Sequence, residues 1–147
     1  MRVTCEVGTF EAPDGWVVLE GVGAAERAEI PDGSAETFRQ SIVVCADTLP
    51  EGHDAESYFT MQQAVIPQVI PSCSIIESSA SDSPGGVCRL MLQIDGTDAE
   101  VIAQWMAFVV APPRVAVITG TALDASVGEL PAHFEAAVAS FKFVAPR

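Results

Sequence analysis

The chain has 147 residues, 49% of them hydrophobic, with 7 Lys and Arg against 20 Asp and Glu and a formal net charge of -13. That length fits a single domain over residues 1–147 with a core of its own, and the apolar content excludes a disordered chain. The negative charge repels phosphate backbones and anionic headgroups, so neither nucleic acid nor direct membrane binding is expected.

Residues 3–10 (VTCEVGTF) alternate loosely and meet the turn signal Ala12-Pro13-Asp14-Gly15. Trp16 to Gly21 follow as a strand, which predicts an opening hairpin between these two stretches. Glu6 and Glu11 fall where a secretory signal needs an uninterrupted apolar core, and no lipobox precedes Cys5, so the start reads as that of a cytoplasmic protein. Gly21 to Ser34 reads as a loop or a frayed strand end, and its Gly21-Val22-Gly23 lacks the third glycine of a dinucleotide-binding turn. Thr37 to Ala46 predicts a third strand, with Phe38, Gln40, Ile42 and Val44 on one face and Arg39, Ser41, Val43 and Cys45 on the other.

Leu49 to Asp54 turn into a helix. Asp54 suits the N-cap, Glu56 complements the helix dipole, and Ala55, Tyr58, Phe59, Gln62, Val65 and Ile66 recur at helical spacing. Pro67 is expected to end this helix near Ile66, and Pro71 to keep it from restarting. Cys73 to Ser79 reads as a short strand and Ala80 to Gly86 as a loop. Val87 to Asp95 alternates, with Cys88, Leu90, Leu92 and Ile94 set against Arg89, Met91 and Gln93.

Residues 101–122 predict two long strands joined at Ala111-Pro112-Pro113-Arg114. Ile102, Gln104, Met106, Phe108 and Val110 share one side of the first, and Val101, Ala103, Trp105, Ala107 and Val109 the other. Both sides are mostly apolar, whereas a hairpin with one wet face alternates, so something must cover each face. A last helix from Pro131 to Phe141 carries Leu130, Phe134, Val138 and Phe141 on one stripe. The sum is an α+β domain: a mostly antiparallel sheet of six or seven strands with two principal helices packed on it. Two such helices cover one sheet face, which leaves the other either for a dimer partner or a client, or to be closed within the monomer by the N-terminal hairpin and long loops.

Reactive groups are sparse. There is no G-x-S-x-G, no H-E-x-x-H and no P-loop, so no enzyme is expected. Cys5, Cys45, Cys73 and Cys88 form no C-x-x-C pair and His53 and His133 stand alone, so neither a metal nor a cofactor is expected, and the cysteines read as small buried hydrophobes. Asp95 and Asp98 flank a glycine turn, where acids are common. The informative polar residues are Gln40, Gln62, Gln93 and Gln104, amides set among apolar neighbours that must find hydrogen-bond partners when buried. Either they satisfy one another and nearby backbone, or some of them face a client helix.

The order of these signals resembles the DcrB-like proteins of the wider PsbP-like α/β/α class. The resemblance rests on FEAPDGW, LPEG ahead of DAESYF, the strand VIAQWMAFVV, the strand RVAVITGTA and the closing SFKF, and it covers Phe10 to Phe143. Members of similar length without signal sequences include the effector-associated chaperones of type VI secretion. The resemblance implies a cytoplasmic homodimer that grips the N-terminal transmembrane helices of a secreted effector in an apolar sheet groove and assists its loading. By this resemblance Ser41, Gln62 or Gln63, and Gln104 match polar groove positions, with Phe38, Ile42, Met106 and Phe108 as apolar lining. The turn APPR departs from the pattern, since relatives often carry glycines there. Two other readings stay open: a stand-alone DcrB-like interaction or accessory protein with no membrane-helix client, and a small-ligand binder or enzyme with a pocket between sheet and helix.

Overall fold

The computed structural model describes residues 1–27, 39–80, 87–96 and 100–145. In chain order the elements are β1 (Arg2–Thr4), β2 (Gly8–Glu11), β3 (Val17–Leu19), β4 (Gly23–Ala25), β5 (Ser41–Thr48), α1 (Ala55–Val69), β6 (Cys73–Ser79), β7 (Cys88–Asp95), β8 (Val101–Ala111), β9 (Arg114–Leu123), α2 (Leu130–Ser140) and β10 (Lys142–Phe143). Seven strands form one antiparallel sheet in the order β3-β4-β5-β9-β8-β7-β6, and β1-β2-β10 form a smaller one. The α+β expectation holds, with the β8–β9 hairpin at the sheet's centre.

Two local expectations do not. Residues 3–10 and 16–21 do not pair as a hairpin: β1 folds back on β2, while β3 pairs with β4 in the large sheet. The Pro13-Asp14-Gly15 turn therefore joins two sheets, and of the two readings of the stretch from Gly21, loop or strand end, the strand is realised at β4. Nor does α1 stop at Ile66. Pro67 lies inside the helix, and the Ile70 N–H donates to the Ile66 carbonyl at 2.9 Å to close the last turn. Proline forbids one hydrogen bond, but its fixed φ is itself helical. At the other end Asp54 accepts from the Ser57 N–H, and Ser57 Oγ accepts from the Asp54 N–H. These bonds to Ser57 hold the Asp54 carboxyl below its ordinary range.

Each face of the large sheet receives one helix, rather than one face receiving both. On one, α2 inserts Leu130, Phe134, Ala137 and Val138 against Ile42, Ala107, Ala116, Ile118 and Ala122; the small sheet adds Val3 and Phe10, and the β1–β2 connection adds Val7. Gly120 sits between Trp105 and Ile42 in a cross-strand row, and a Cβ there would meet Phe134 Cδ2 at 3.2 Å. The missing side chain is what lets Phe134 reach the sheet. On the other face, α1 packs Tyr58, Phe59 and Ile66 on Leu90, Leu92, Phe108 and Val115. The Tyr58 and Phe59 rings lie 6.1 and 5.7 Å from that of Phe108.

Tyr58 also ties α1 to β5, donating its hydroxyl to Asp47 Oδ2 at 2.5 Å. Burial, and then the Asp47 carboxylate, push the phenol upward, so it stays neutral. Tyr58→Phe keeps the ring packing and removes this bond, with an expected cost of about 1 kcal/mol in urea unfolding. Unchanged stability would show that water replaces the contact at no cost.

Candidate functional site

The two flanks of α1 face different neighbours. Ser78 Oγ on β6 donates to Gln63 Oε1 at 2.8 Å, whereas Tyr58 reaches Asp47 on β5 from the opposite flank. Residues 58, 62, 65 and 69 fall on that second flank at helical spacing. It carries Gln62 and then two exposed valines, Val65 at 39% and Val69 at 72%. Past this wall none of the hydrophobic clusters of the described residues takes in Val43 of β5 or Ile102 and Leu123 of the hairpin, so that part of the α1 face is the less covered one.

The register fixes what that open half presents. Leu92, Gln104, Thr121 and Ser41 stand side by side across β7, β8, β9 and β5. The next row is Leu90, Met106, Thr119 and Val43, and on the far side lie Ile94, Ile102 and Leu123. Strands are about 4.8 Å apart, so Gln104, Thr121 and Ser41 form a line of amide and hydroxyl groups roughly 10 Å long. Gln104 Nε2 donates to Thr121 Oγ1 at 3.3 Å. All three side chains are half-buried, as are Ile102, Met106, Val43 and Leu123 around them. The surface is apolar with a neutral polar seam.

Of the residues expected at a groove, Ser41, Gln104 and Met106 share this half-face, and Gln62 belongs to the wall beside it. Gln63 is turned to β6 and engaged by Ser78. Ile42 requires correction: it neighbours Ser41 along the strand, so it points to the opposite face, where it lies fully buried under α2. Phe108 has the right face but is covered by Tyr58 and Phe59, leaving 2% exposed. Phe38 lies outside the described residues. Gln40 and Gln93 fasten the loop after β9: Gln40 Nε2 donates to the Ser126 and Val127 carbonyls at 2.7 and 3.1 Å, and Gln93 Nε2 donates to Asp124 Oδ1 at 3.2 Å.

Thr119, Thr121 and Val43 were missed. Counting back from the turn, where Ala111 pairs with Arg114, sets Thr121 opposite Gln104 and Thr119 opposite Met106. The hairpin's own sequence carried that signal.

The seam presents amide and hydroxyl groups, which can donate and accept hydrogen bonds. Among the described residues no cluster of His, Cys, Asp or Glu could hold a metal. Cys5 and Cys88 are buried as expected, Cys73 is half-buried with its thiol pushed upward by that burial, and Cys45, expected inside, is exposed on the open face of β5. No described helix is long and apolar enough to cross a membrane.

CyanoP of Synechocystis sp. PCC 6803, a cyanobacterial PsbP, matches this architecture with a TM-score of 0.64 at 14% identity, over 98% of this chain and 92% of that one. The fold is PsbP-like. Similar matches are PA94 of Pseudomonas aeruginosa, a protein of unknown function (TM-score 0.62, 16% identity, 100% of this chain and 96% of that one), and LpqN of Mycobacterium tuberculosis, involved in cell envelope biogenesis (TM-score 0.62, 14% identity, 92% and 82%). No protein-family model and no curated protein matches the sequence. At these identities the PsbP-like neighbours share an architecture, and function must be argued from the open face.

Proposed function

We propose that this PsbP-like domain is a DcrB-like, non-catalytic chaperone that holds apolar helices of a secreted effector on the α1 face and assists its loading for type VI secretion, as a homodimer. The observation that carries the reading is the Gln104–Thr121–Ser41 seam crossing the less covered, apolar half of the α1 face. A membrane helix in water needs its apolar surface shielded. Where it carries small residues, its backbone carbonyls are accessible to hydroxyl and amide donors. The turns of such a helix repeat about every 5.4 Å, close to the strand spacing, so a helix lying across the strands presents successive turns to successive members of the seam. Met106, Ile102, Val43 and the Val65–Val69 wall supply the apolar surround.

The test is co-expression with the products of adjacent genes, affinity recovery, and deletion of the N-terminal apolar segment from any partner that co-purifies. Recovery that depends on that segment supports the chaperone. Recovery that survives the deletion, or no partner at all, transfers the reading to a stand-alone interaction module. Ser41→Ala with Gln104→Ala removes two donors worth about 1 kcal/mol each. Capture is expected to weaken about 10- to 30-fold with the melting temperature nearly unchanged, because both side chains are half-exposed. Equal recovery from double mutant and wild type would remove both from the site.

A further inference from the structure

The α2 face has an unfilled space of a different kind. Between α2 and the edge strand β6 lies a cleft of about 630 Å3, floored by Met91 and Trp105, with Pro131 and Phe134 on one wall and Ile76 and Glu77 on the other. Its origin is the row Glu77–Met91–Trp105–Gly120. Phe134 of α2 fills the place over Gly120 and stops there, so Trp105 and Met91 stay half-covered. A register shift between Ile75 and Glu77 leaves Ile76 half-exposed at the lip. The volume is within the range of small-molecule sites, and an apolar floor with a few polar groups is their usual composition.

The polar groups decide the sign of the ligand. Arg89 Nε and Nη2 donate to both carboxylate oxygens of Glu135 at 2.9 and 3.0 Å, so that pair is neutral within itself. Glu77, across the cleft, has no described cation within ion-pair distance. An anionic ligand would have to displace Glu135 from a bidentate pair and then lie in the field of Glu77 and of a chain with formal net charge -13. A cation meets the reverse: the free carboxylate, the Trp105 indole and the polarisable Met91 sulfur. We propose that this cleft binds a small amphipathic organic cation, an amine or quaternary ammonium on an apolar aromatic or short alkyl body. The site is on the opposite side of the sheet from the seam and stands whether or not the chaperone reading does.

The test is isothermal titration of the whole chain with 2-phenylethylamine, benzyltrimethylammonium, 2-phenylethanol and 3-phenylpropionate, with amide chemical-shift mapping of the amine. Both cations are expected to bind saturably at one site and at least about tenfold more tightly than the carboxylate. Shifts should cluster on β6, β7 and the first turn of α2. Glu77→Gln, at an exposed position, should fold normally, weaken the cations about three- to tenfold and bring the amine close to the alcohol. Equal binding of amine and carboxylate, absence of saturable binding, shifts confined to other surfaces, or indifference to Glu77→Gln would each overturn the proposal.

Discussion

Phe134→Ala is expected to lower the unfolding free energy by about 3–5 kcal/mol, a large share of the ~5–15 kcal/mol that holds a domain of this kind together. Phe134 is 1% exposed and is the side chain by which α2 enters the sheet. Its ring occupies the gap that Gly120 leaves between Trp105 and Ile42. Truncation empties that gap, and the hydrogen-bonded sheet beneath it cannot collapse into it. The geometry also predicts a coupling. In the native protein Gly120→Ala places a methyl 3.2 Å from Phe134 Cδ2, a contact that has to be relieved by movement. In the Phe134→Ala background the same methyl enters a vacated space. The double mutant should therefore be more stable than the sum of the single effects by at least about 0.5 kcal/mol, measured as a cycle in urea unfolding. Strict additivity would mean that α2 relocates when Phe134 is shortened.

This pairing of a glycine with a phenylalanine also shows what the sequence could and could not say. Alternation along 101–122 and the stripe Leu130–Phe134–Val138 were legible because period-two and helical spacings are local, and they led to the sheet-with-helices architecture. That Phe134 docks on Gly120, and not on one of the larger side chains of β9, depends on the register between elements distant in sequence. The failed opening hairpin has the same cause. Val3 and Val7 alternate as a strand should, but whether β1 pairs with the segment after the turn or folds onto β2 is settled by where Phe10 and Val3 bury, in the core shared with α2. At the site, Ser41, Gln104 and Met106 were legible as polar or large residues at face positions. Ile42, which the resemblance placed in the lining beside Ser41, cannot lie there, because strand neighbours do not share a face. Phe108 was misplaced because its cover, Tyr58 and Phe59, comes from α1, whose position over the sheet no spacing reveals. Thr119 and Thr121 look unremarkable in composition and acquire meaning only from the hairpin register.

Thr119→Glu should reduce capture of an apolar helix by at least about 100-fold while lowering stability by under about 1 kcal/mol. Thr119 lies between Met106 and Val43 in the row next to the seam and is half-exposed, so in the free protein a carboxylate there stays in water. Once a helix covers the half-face, the same carboxylate is stripped of water among apolar side chains with no partner in its row, and that desolvation costs several kcal/mol. The effect comes from the bound state alone, which separates it from a folding defect. Met91→Glu is the control on the opposite face, adding the same charge at a half-exposed position, with Glu77 opposite it across the strand pair, so its stability is measured alongside. Capture lost in Thr119→Glu and kept in Met91→Glu assigns the client to the α1 face. The reverse pattern would move the client to the cleft beside α2, and capture kept in both would mean that the partner does not use the sheet and that the Gln104–Thr121–Ser41 seam serves the hairpin's own cohesion.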